Sequence, residues 1–336
     1  MLKLWRSVVV GALFALTCAV CPSLALAGNQ SRAGINLGAT SFFDGFGRPL
    51  EGFTYQAYLQ YSRSREIADA NGDATKAFVN PELDTLVMLN QLSYYLPHTL
   101  FGDRARPAFN FILPIVGFMT SFDKPGPVLT DNGVGLGDLV LGPMLQFKPL
   151  LSEGRPVFSH RFELDLIVPT GKYDPAKNLN QGTNYVSINP HWAATVLPLR
   201  GLEFTTRLHW IYNFTNERPV NPPRGIPMGT TVESARAGQS VWANFASSYE
   251  VVTGLHLGVN GYYLKQVTLD RFFLSDSTYY EGQKPAEGKQ QVLGIGPGAF
   301  WEVTKQDKLF ANYYYQMLVE ARPKSHALTA RWVHSF

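Results

Sequence analysis

The chain ends in the run Leu328-Thr-Ala-Arg-Trp-Val-His-Ser-Phe336, which has the pattern of a β-strand and closes on an aromatic residue. Apolar residues stand at alternate positions, namely Leu328, Ala330, Trp332 and Phe336. Chain termini usually fray, so a soluble protein seldom ends on such a segment. A membrane barrel requires one, because its last strand must pair with its first to leave no open edge in lipid. The run therefore favours a closed barrel, although the polar residue His334 stands where an apolar one is expected.

The other end of the chain has the three parts of a secretory signal. Lys3 and Arg6 give it a positive start, residues 7–21 are mostly apolar, and Ala25-Leu26-Ala27 matches an A-x-A cleavage site. The apolar part is shorter than the roughly 20 residues that a helix needs to span a bilayer. We therefore expect residues 1–27 to be a signal peptide that is cleaved on export, rather than a membrane anchor.

Charge and cysteine content exclude some partners and chemistries. The formal net charge is +3. Loss of Lys3 and Arg6 with the signal leaves 29 − 2 = 27 basic against 26 acidic residues, or +1. This balance gives no reason to expect a nucleic-acid partner. Cys18 and Cys21 are the two cysteines of the chain. Because both lie in the predicted signal, we expect neither disulfides nor thiolate chemistry in the mature protein.

Alternation of apolar and polar residues is the main structural signal after the signal peptide. The strongest continuous apolar run, residues 109–119, is broken by Asn110 and Pro114, so no membrane helix is predicted. The clearest alternating run is 202–214. One of its faces carries Leu202, Phe204, Thr206, Leu208, Trp210, Tyr212 and Phe214. Several runs reach about eleven residues, the length at which a tilted strand crosses a bilayer and about twice that of a globular strand. A membrane barrel is therefore favoured over a soluble sandwich.

The alternating runs and the linkers between them predict the topology. Strands are expected at 53–63, 83–96, 108–119, 136–147, 157–168, 185–197, 202–214, 240–251, 255–267, 290–303, 309–320 and 326–336. Long and short linkers alternate, as they must when odd strands end outside and even strands end in the periplasm. We predict an all-β fold, a single antiparallel transmembrane β-barrel of about twelve strands over residues 53–336. Residues 28–52 are irregular, and we expect them either below the barrel or in its lumen as a plug.

Charged side chains on the predicted inner face are the candidates for a substrate path. They are Arg161, Glu163, Asp165, Glu203, Arg207, His209 and Glu250. On the lipid face a basic side chain would cost about 2–4 kcal/mol near the midplane. That these charged residues all fall on one face of their strands therefore supports its assignment as the inner face. Two interpretations stay open. The residues form either a salt-bridged network that packs a narrow barrel, or a pore constriction or binding site.

Enzyme and metal signatures are not found in the sequence. It contains no G-x-S-x-G, H-E-x-x-H or P-loop motif. His209 and Glu203 share a face, but nothing in the sequence orients them, so we predict a protein that is not an enzyme. His160 and Glu163 are three residues apart on a strand and therefore point to opposite faces. We accordingly predict no catalytic residue, no metal and no cofactor.

Four stretches resemble a known outer-membrane family named for a meta-pathway of phenol degradation, whose members are called transporters or porin-like channels. The matching stretches are residues 39–45, 135–143, 163–173 and 178–184, with Asn189-Pro-His191 after them. The C-terminal strand is similar to the terminal signature of bacterial outer-membrane proteins. The resemblance implies a barrel and a link to aromatic or other hydrophobic compounds. It implies no catalytic residues.

The expected function is passive uptake of small hydrophobic or aromatic compounds across the outer membrane of a Gram-negative bacterium. Expected partners are outer-membrane lipid, the transported molecules, and the barrel-assembly machinery, which would bind the strand ending in Phe336. Candidate binding residues at the outer rim are Asp138, Thr170, Lys172 and Asn184. Two alternatives stay open: a barrel enzyme that acts on lipids, and a structural or adhesive barrel that works through its outer loops.

Overall fold

The structure is a computed structural model that describes residues 37–48, 50–220, 231–274, 279–281 and 289–336; the predicted signal peptide lies outside these ranges. Its strands are β1 (Gly52–Ala68), β2 (Val79–Tyr95), β3 (Ala105–Asp123), β4 (Val134–Leu136), β5 (Leu139–Phe147), β6 (Leu150–Ser152), β7 (Arg155–Val168), β8 (Ser187–Leu199), β9 (Leu202–Asn213), β10 (Thr215–Asn216), β11 (Val232–Arg236), β12 (Ser240–Val252), β13 (Leu255–Gln266), β14 (Arg271–Leu274), β15 (Tyr279–Glu281), β16 (Gln291–Glu302), β17 (Asp307–Glu320) and β18 (Arg322–Ser335). Within the described ranges, no helix is long and apolar enough to cross a membrane.

Twelve strands close into an antiparallel barrel, which confirms the predicted fold. In order around the barrel they are β1, β2, β3, β5, β7, β8, β9, β12, β13, β16, β17 and β18. The seam is the pairing of β1 with β18, which runs from Thr54 opposite Ser335 to Ala68 opposite Arg322. Strands β4 and β6 pair with β3 and β7, and β10, β11, β14 and β15 form a separate four-stranded sheet.

The connections divide the barrel into two ends. At the short-turn end, two residues join β8 to β9 and two join β12 to β13. At the long-loop end the connections are longer, among them residues 69–78, 124–138 and 169–186. This is the predicted alternation of long and short linkers. The last connection at the long-loop end is tighter than expected, because the single residue Ala321 makes the turn with φ 53°. Residues 322–325, which lie between two predicted strands, are therefore part of β18.

Side chains alternate between an apolar outer face and a buried inner face on each long strand. On β7, Phe162 is 51% exposed, whereas its neighbours Arg161 and Glu163 are 8% and 5% exposed. The alternation follows from the two-residue period of a strand. Outward apolar side chains suit contact with lipid, and the inward polar side chains must find partners inside the barrel, because an unpaired buried polar group is costly.

Candidate functional site

Residues 37–48, called here the inner segment, run inside the barrel and are hydrogen-bonded to its wall. Asn244 Oδ1 accepts from the Gly38 amide at 3.1 Å, and the Tyr314 hydroxyl donates to the Gly38 carbonyl at 2.9 Å. Thr195 Oγ1 accepts from the Gly45 amide at 2.9 Å. The segment forms no strand of its own, so wall side chains supply partners that its backbone groups would otherwise lack.

Gly45 brings the inner segment into contact with the backbone of the wall. A Cβ at this position would lie 2.4 Å from both the Ser159 carbonyl oxygen and the Thr195 amide nitrogen. Only a residue without a Cβ fits so close an approach. The hydroxyl of Ser159 and the amide of Gln146 donate to the Gly45 carbonyl at 2.9 and 3.1 Å.

Asp44 is the charged anchor of the inner segment. Its side chain is buried and accepts from Arg207 Nε at 2.5 Å and Nη2 at 2.7 Å, and from Arg161 Nη2 at 3.1 Å. Arg161 also donates to the Asp44 carbonyl. Removal of one partner from a buried ion pair typically costs about 3–5 kcal/mol, because it leaves a charge without compensation. Two of the predicted lumen residues therefore hold the inner segment in place. No local pattern in the sequence marks Asp44, since it lies in an irregular stretch.

Glu163, Asp165 and His191 form a second cluster on β7 and β8. His191 Nε2 lies 3.2 Å from Asp165 Oδ2 and 3.7 Å from Glu163 Oε2. Asn110 donates to Glu163 Oε1, and Asn189 Nδ2 lies 3.5 Å from Asp165 Oδ2. His191 is not among the predicted lumen residues. Its neighbour Glu163 lies on another strand, and the local sequence does not fix the register that places the two residues opposite each other.

His209 and Glu203 lie on the same strand but belong to different contacts. The His209 ring stacks on Trp242 with centroids 4.2 Å apart, and its other contacts are His191 and Asn189. Glu203 accepts from Thr205 Oγ1 at 2.6 Å and Ser248 Oγ at 3.0 Å. The structure therefore gives each of the two residues its own partners.

Glu250, the last of the predicted lumen residues, lies at the short-turn end. Its Oε1 accepts from the Gly254 amide at 2.9 Å within the β12–β13 turn. It also lines a cavity of about 1070 Å³ that borders the inner segment. Aromatic rings and cations share the cavity lining, including Phe43, Phe46, Phe147, Phe300, Phe310, Arg48 and Arg331.

The four predicted rim residues shape the loops at the long-loop end. Asp138 is buried and accepts from the Gly171 amide at 2.9 Å and from the Thr183 hydroxyl at 2.6 Å. Burial raises the pKa of the Asp138 carboxyl, and these hydrogen bonds partly offset the rise. Thr170 Oγ1 accepts from the amide of Leu139 at 3.1 Å.

Lys172 and Asn184 complete this rim. Lys172 Nζ donates to the Asn132 carbonyl at 2.6 Å, and Asn184 Nδ2 donates to Asn216 Oδ1 at 2.7 Å. Asn184 has φ 64°, a conformation that asparagine tolerates better than most residues. These contacts order the loops, and a binding role for the four residues stays a prediction.

Comparison with known proteins gives one family and several similar folds. Residues 67–332 match the model of the family described as "Putative MetA-pathway of phenol degradation". The COG4313 outer membrane channel from Pseudomonas putida F1 is 20% identical, with 88% of this chain and 98% of that chain covered and a TM-score of 0.68. The translocator domain of the autotransporter NalP from Neisseria meningitidis is 12% identical, with coverage of 87% and 90% and a TM-score of 0.43. A search of curated proteins found no match.

Proposed function

The chain belongs to the family described as "Putative MetA-pathway of phenol degradation", and we propose that it is an outer-membrane channel for passive uptake of small hydrophobic or aromatic compounds. The observation that carries the proposal is a closed barrel with an apolar outer face, a polar inner face and the inner segment in its bore. Even an empty twelve-stranded barrel would contain only a narrow passage. Here the inner segment occupies part of that passage.

The lining of the cavity at the short-turn end supports an aromatic substrate. Small-molecule sites are mostly apolar with a few placed polar groups, and a cavity of about 1070 Å³ is at the upper end of their usual size. The rings of Phe43, Phe300 and Phe310 offer edges and faces to a flat aromatic molecule. The guanidinium of Arg331 lies 4.5 Å from the centroid of the Phe310 ring, so a cation is already positioned over one of these rings.

The inner segment is the proposed plug of the channel. It closes the bore to ions while Asp44 holds Arg161 and Arg207, and movement of the segment opens a path along the polar wall. The rim residues Asp138, Thr170, Lys172 and Asn184 are the proposed entry, and Glu163, Asp165, Glu203, His209 and Glu250 line the proposed path. No catalytic step is part of this function.

The proposal includes the location of the protein. The chain would be exported by a signal peptide at residues 1–27 and inserted in a Gram-negative outer membrane by assembly machinery that binds the strand ending in Phe336. Its outward apolar side chains would then face lipid.

A transport assay tests the proposed function. Deletion of the gene should slow growth on a limiting aromatic carbon source, and the gene supplied in trans should restore it. Growth on succinate, a small polar acid, is the control and should not change. Purified protein in planar bilayers should show low ion conductance because the bore is filled. Unchanged growth on the aromatic source, together with a large, steady conductance, would contradict the proposal.

A further inference from the structure

We propose that Glu163, Asp165 and His191 form a binding site for a divalent transition-metal cation such as Zn²⁺ inside the barrel. The three side chains come from adjacent strands, and Glu163 stands directly opposite His191 in the β7–β8 ladder. One ligand atom from each residue lies within 4.8 Å of the others. None of the three side chains lines the cavity at the short-turn end, but Arg161, which pairs with Asp44 and lines that cavity, lies beside Glu163.

The distances in the cluster suit a tetrahedral ion. Zinc binds histidine nitrogen and carboxylate oxygen at about 2.0–2.2 Å, which places neighbouring ligand atoms of a tetrahedron about 3.3–3.6 Å apart. His191 Nε2 lies 3.2 Å from Asp165 Oδ2 and 3.7 Å from Glu163 Oε2. The three ligand atoms lie within 4.8 Å of one another, a limit wider than a tetrahedral edge, so an ion would draw the side chains together without a change of strand register.

Several buried polar atoms of the cluster are not fully hydrogen-bonded. Nδ1 of His191 and Oδ1 of Asp165 are buried and lack a hydrogen-bond partner, and Nε2 of His191 and Oε2 of Glu163 have ion-pair contacts but no hydrogen bond of good geometry. His191 and Glu163 are each 5% exposed. A buried polar atom left unsatisfied costs about 1–3 kcal/mol, so unsatisfied atoms on two neighbouring side chains are unusual. A bound cation would satisfy one atom of each residue and neutralise the two carboxylates.

Neighbouring residues hold the proposed ligands in place. Asn110 donates to Glu163 Oε1, and the ring of His209 lies 4.6 Å from the ring of His191, centroid to centroid. Gly142 leaves room for both carboxylates, since a Cβ there would lie 2.6 Å from Asp165 Oδ1 and 3.0 Å from Glu163 Oε1. Such outer contacts typically orient the ligands of a metal site.

The donor set and the local charge define the class of ion. One imidazole with two carboxylates favours zinc and related transition metals, whereas Mg²⁺ and Ca²⁺ prefer all-oxygen sites. Arg161 Nε lies 3.6 Å from Glu163 Oε2 and adds a positive charge nearby. Asp44 is shared by Arg161 and Arg207, so it balances one of these two positive charges and the other offsets part of the carboxylate charge. The competing explanation is an ion pair between a protonated His191 and the two carboxylates, which needs no metal.

Metal binding to the purified full-length protein decides between these explanations. Untagged protein in detergent would be treated with a chelator and then titrated with Zn²⁺ in equilibrium dialysis, with the metal measured by mass spectrometry. We expect about one bound Zn²⁺ per chain that a large excess of Mg²⁺ does not displace. Co²⁺ in place of Zn²⁺ should give the visible absorption bands of a tetrahedral site. Absence of stoichiometric binding would overturn the proposal in favour of the ion pair.

Substitutions locate the site. His191→Ala and Glu163→Gln should each weaken Zn²⁺ binding about tenfold or more, because each removes a ligand. His160→Ala is the matched control, because His160 lies on β7 but stacks between Phe147 and Phe158 away from the cluster, and it should bind as the parent does. The shift in gel mobility on boiling reports whether each variant forms a barrel. Two ligand substitutions are made so that the site can still be tested if one of the variants does not fold. Parent-like Zn²⁺ affinity in a folded ligand variant would assign the bound metal elsewhere and sink the proposal.

Discussion

The barrel holds the inner segment by two different means on two of its walls. On the charged wall, formed by β7, β8 and β9, Asp44 accepts hydrogen bonds from Arg161 and Arg207. On the glycine wall, formed by β13, β16 and β17, contact depends on shape, because a Cβ at Gly298 would lie 2.9 Å from Cε2 of Phe42. Phe42 is 1% exposed and packs in a cluster with Phe300 and other apolar side chains. One wall thus fixes the segment by charge and the other by the space that glycine leaves.

The charged wall should make the larger contribution. Asp44→Ala leaves two buried guanidinium groups without their carboxylate, at a cost of about 3–5 kcal/mol while the segment stays in the bore. We therefore expect the segment to leave the bore and the ion conductance in planar bilayers to rise severalfold. Asp73→Ala, a change at an exposed turn of the long-loop end, is the control and should conduct like the parent. An Asp44→Ala protein with the conductance of the parent would contradict the claim that Asp44 holds the segment in the bore.

The glycine wall should contribute less, because side chains can partly adjust. Gly298→Ala adds a Cβ that meets Asn312 Oδ1 at 2.5 Å as well as the Phe42 ring. Overpacking of this kind costs about 1–3 kcal/mol. The urea midpoint of the variant, followed by tryptophan fluorescence, should fall measurably below that of the parent. Gly117→Ala is the matched control, since its nearest atom is Val134 Cγ2 at 3.3 Å, and it should change the midpoint less. Equal midpoints for the two variants would show that the close fit at Gly298 has no energetic weight.

Combining the two substitutions tests whether the walls act on one rigid unit. Once Asp44→Ala has released the segment, the added Cβ at Gly298 no longer meets Phe42 and meets only Asn312 and Asn260 of the wall. The double variant should therefore lose less stability than the two single losses added together, with a coupling of about 0.5–3 kcal/mol. A double-mutant cycle of urea midpoints measures this coupling. Strict additivity would mean that the contacts of Asp44 and Phe42 with the two walls are independent of each other.

The smallest effect is expected for a charge pair outside the bore. A hydrogen bond from Lys148 lowers the pKa of the Asp103 carboxyl, and that from Thr99 adds to the effect. A lowered pKa gives stability that is present above the ordinary pKa of an aspartate and lost as the pH falls through the lowered value. The pair is exposed and screened by water, so Asp103→Asn should leave the urea midpoint at pH 7 unchanged within error. A fall of the urea midpoint at pH 7 larger than that of Gly298→Ala would contradict the expectation that an exposed charge pair contributes little to stability.

The sequence predicted the charged wall better than the glycine wall. Arg161, Glu163 and Arg207 were assigned to the inner face because a strand alternates its side chains with a period of two. Asp44 and His191 were missed for a different reason, since their partners are fixed by lumen contacts and strand register that no local pattern encodes. The role of Gly298 could not be predicted either. A glycine matters here because the Phe42 ring packs against it, and the local sequence does not show which ring does so.

The inner segment continues directly into β1, with Arg48 Nε donating to the Glu51 carbonyl at 2.9 Å between them. Because this covalent link is short, the effective concentration of the segment next to its binding surface is high, on the order of millimolar. Even weak contacts would then refill the bore after each opening. If the backbone were cut between Arg48 and Gly52, the segment would bind the barrel as a separate molecule. Its binding would then depend on concentration, and dilution would release it.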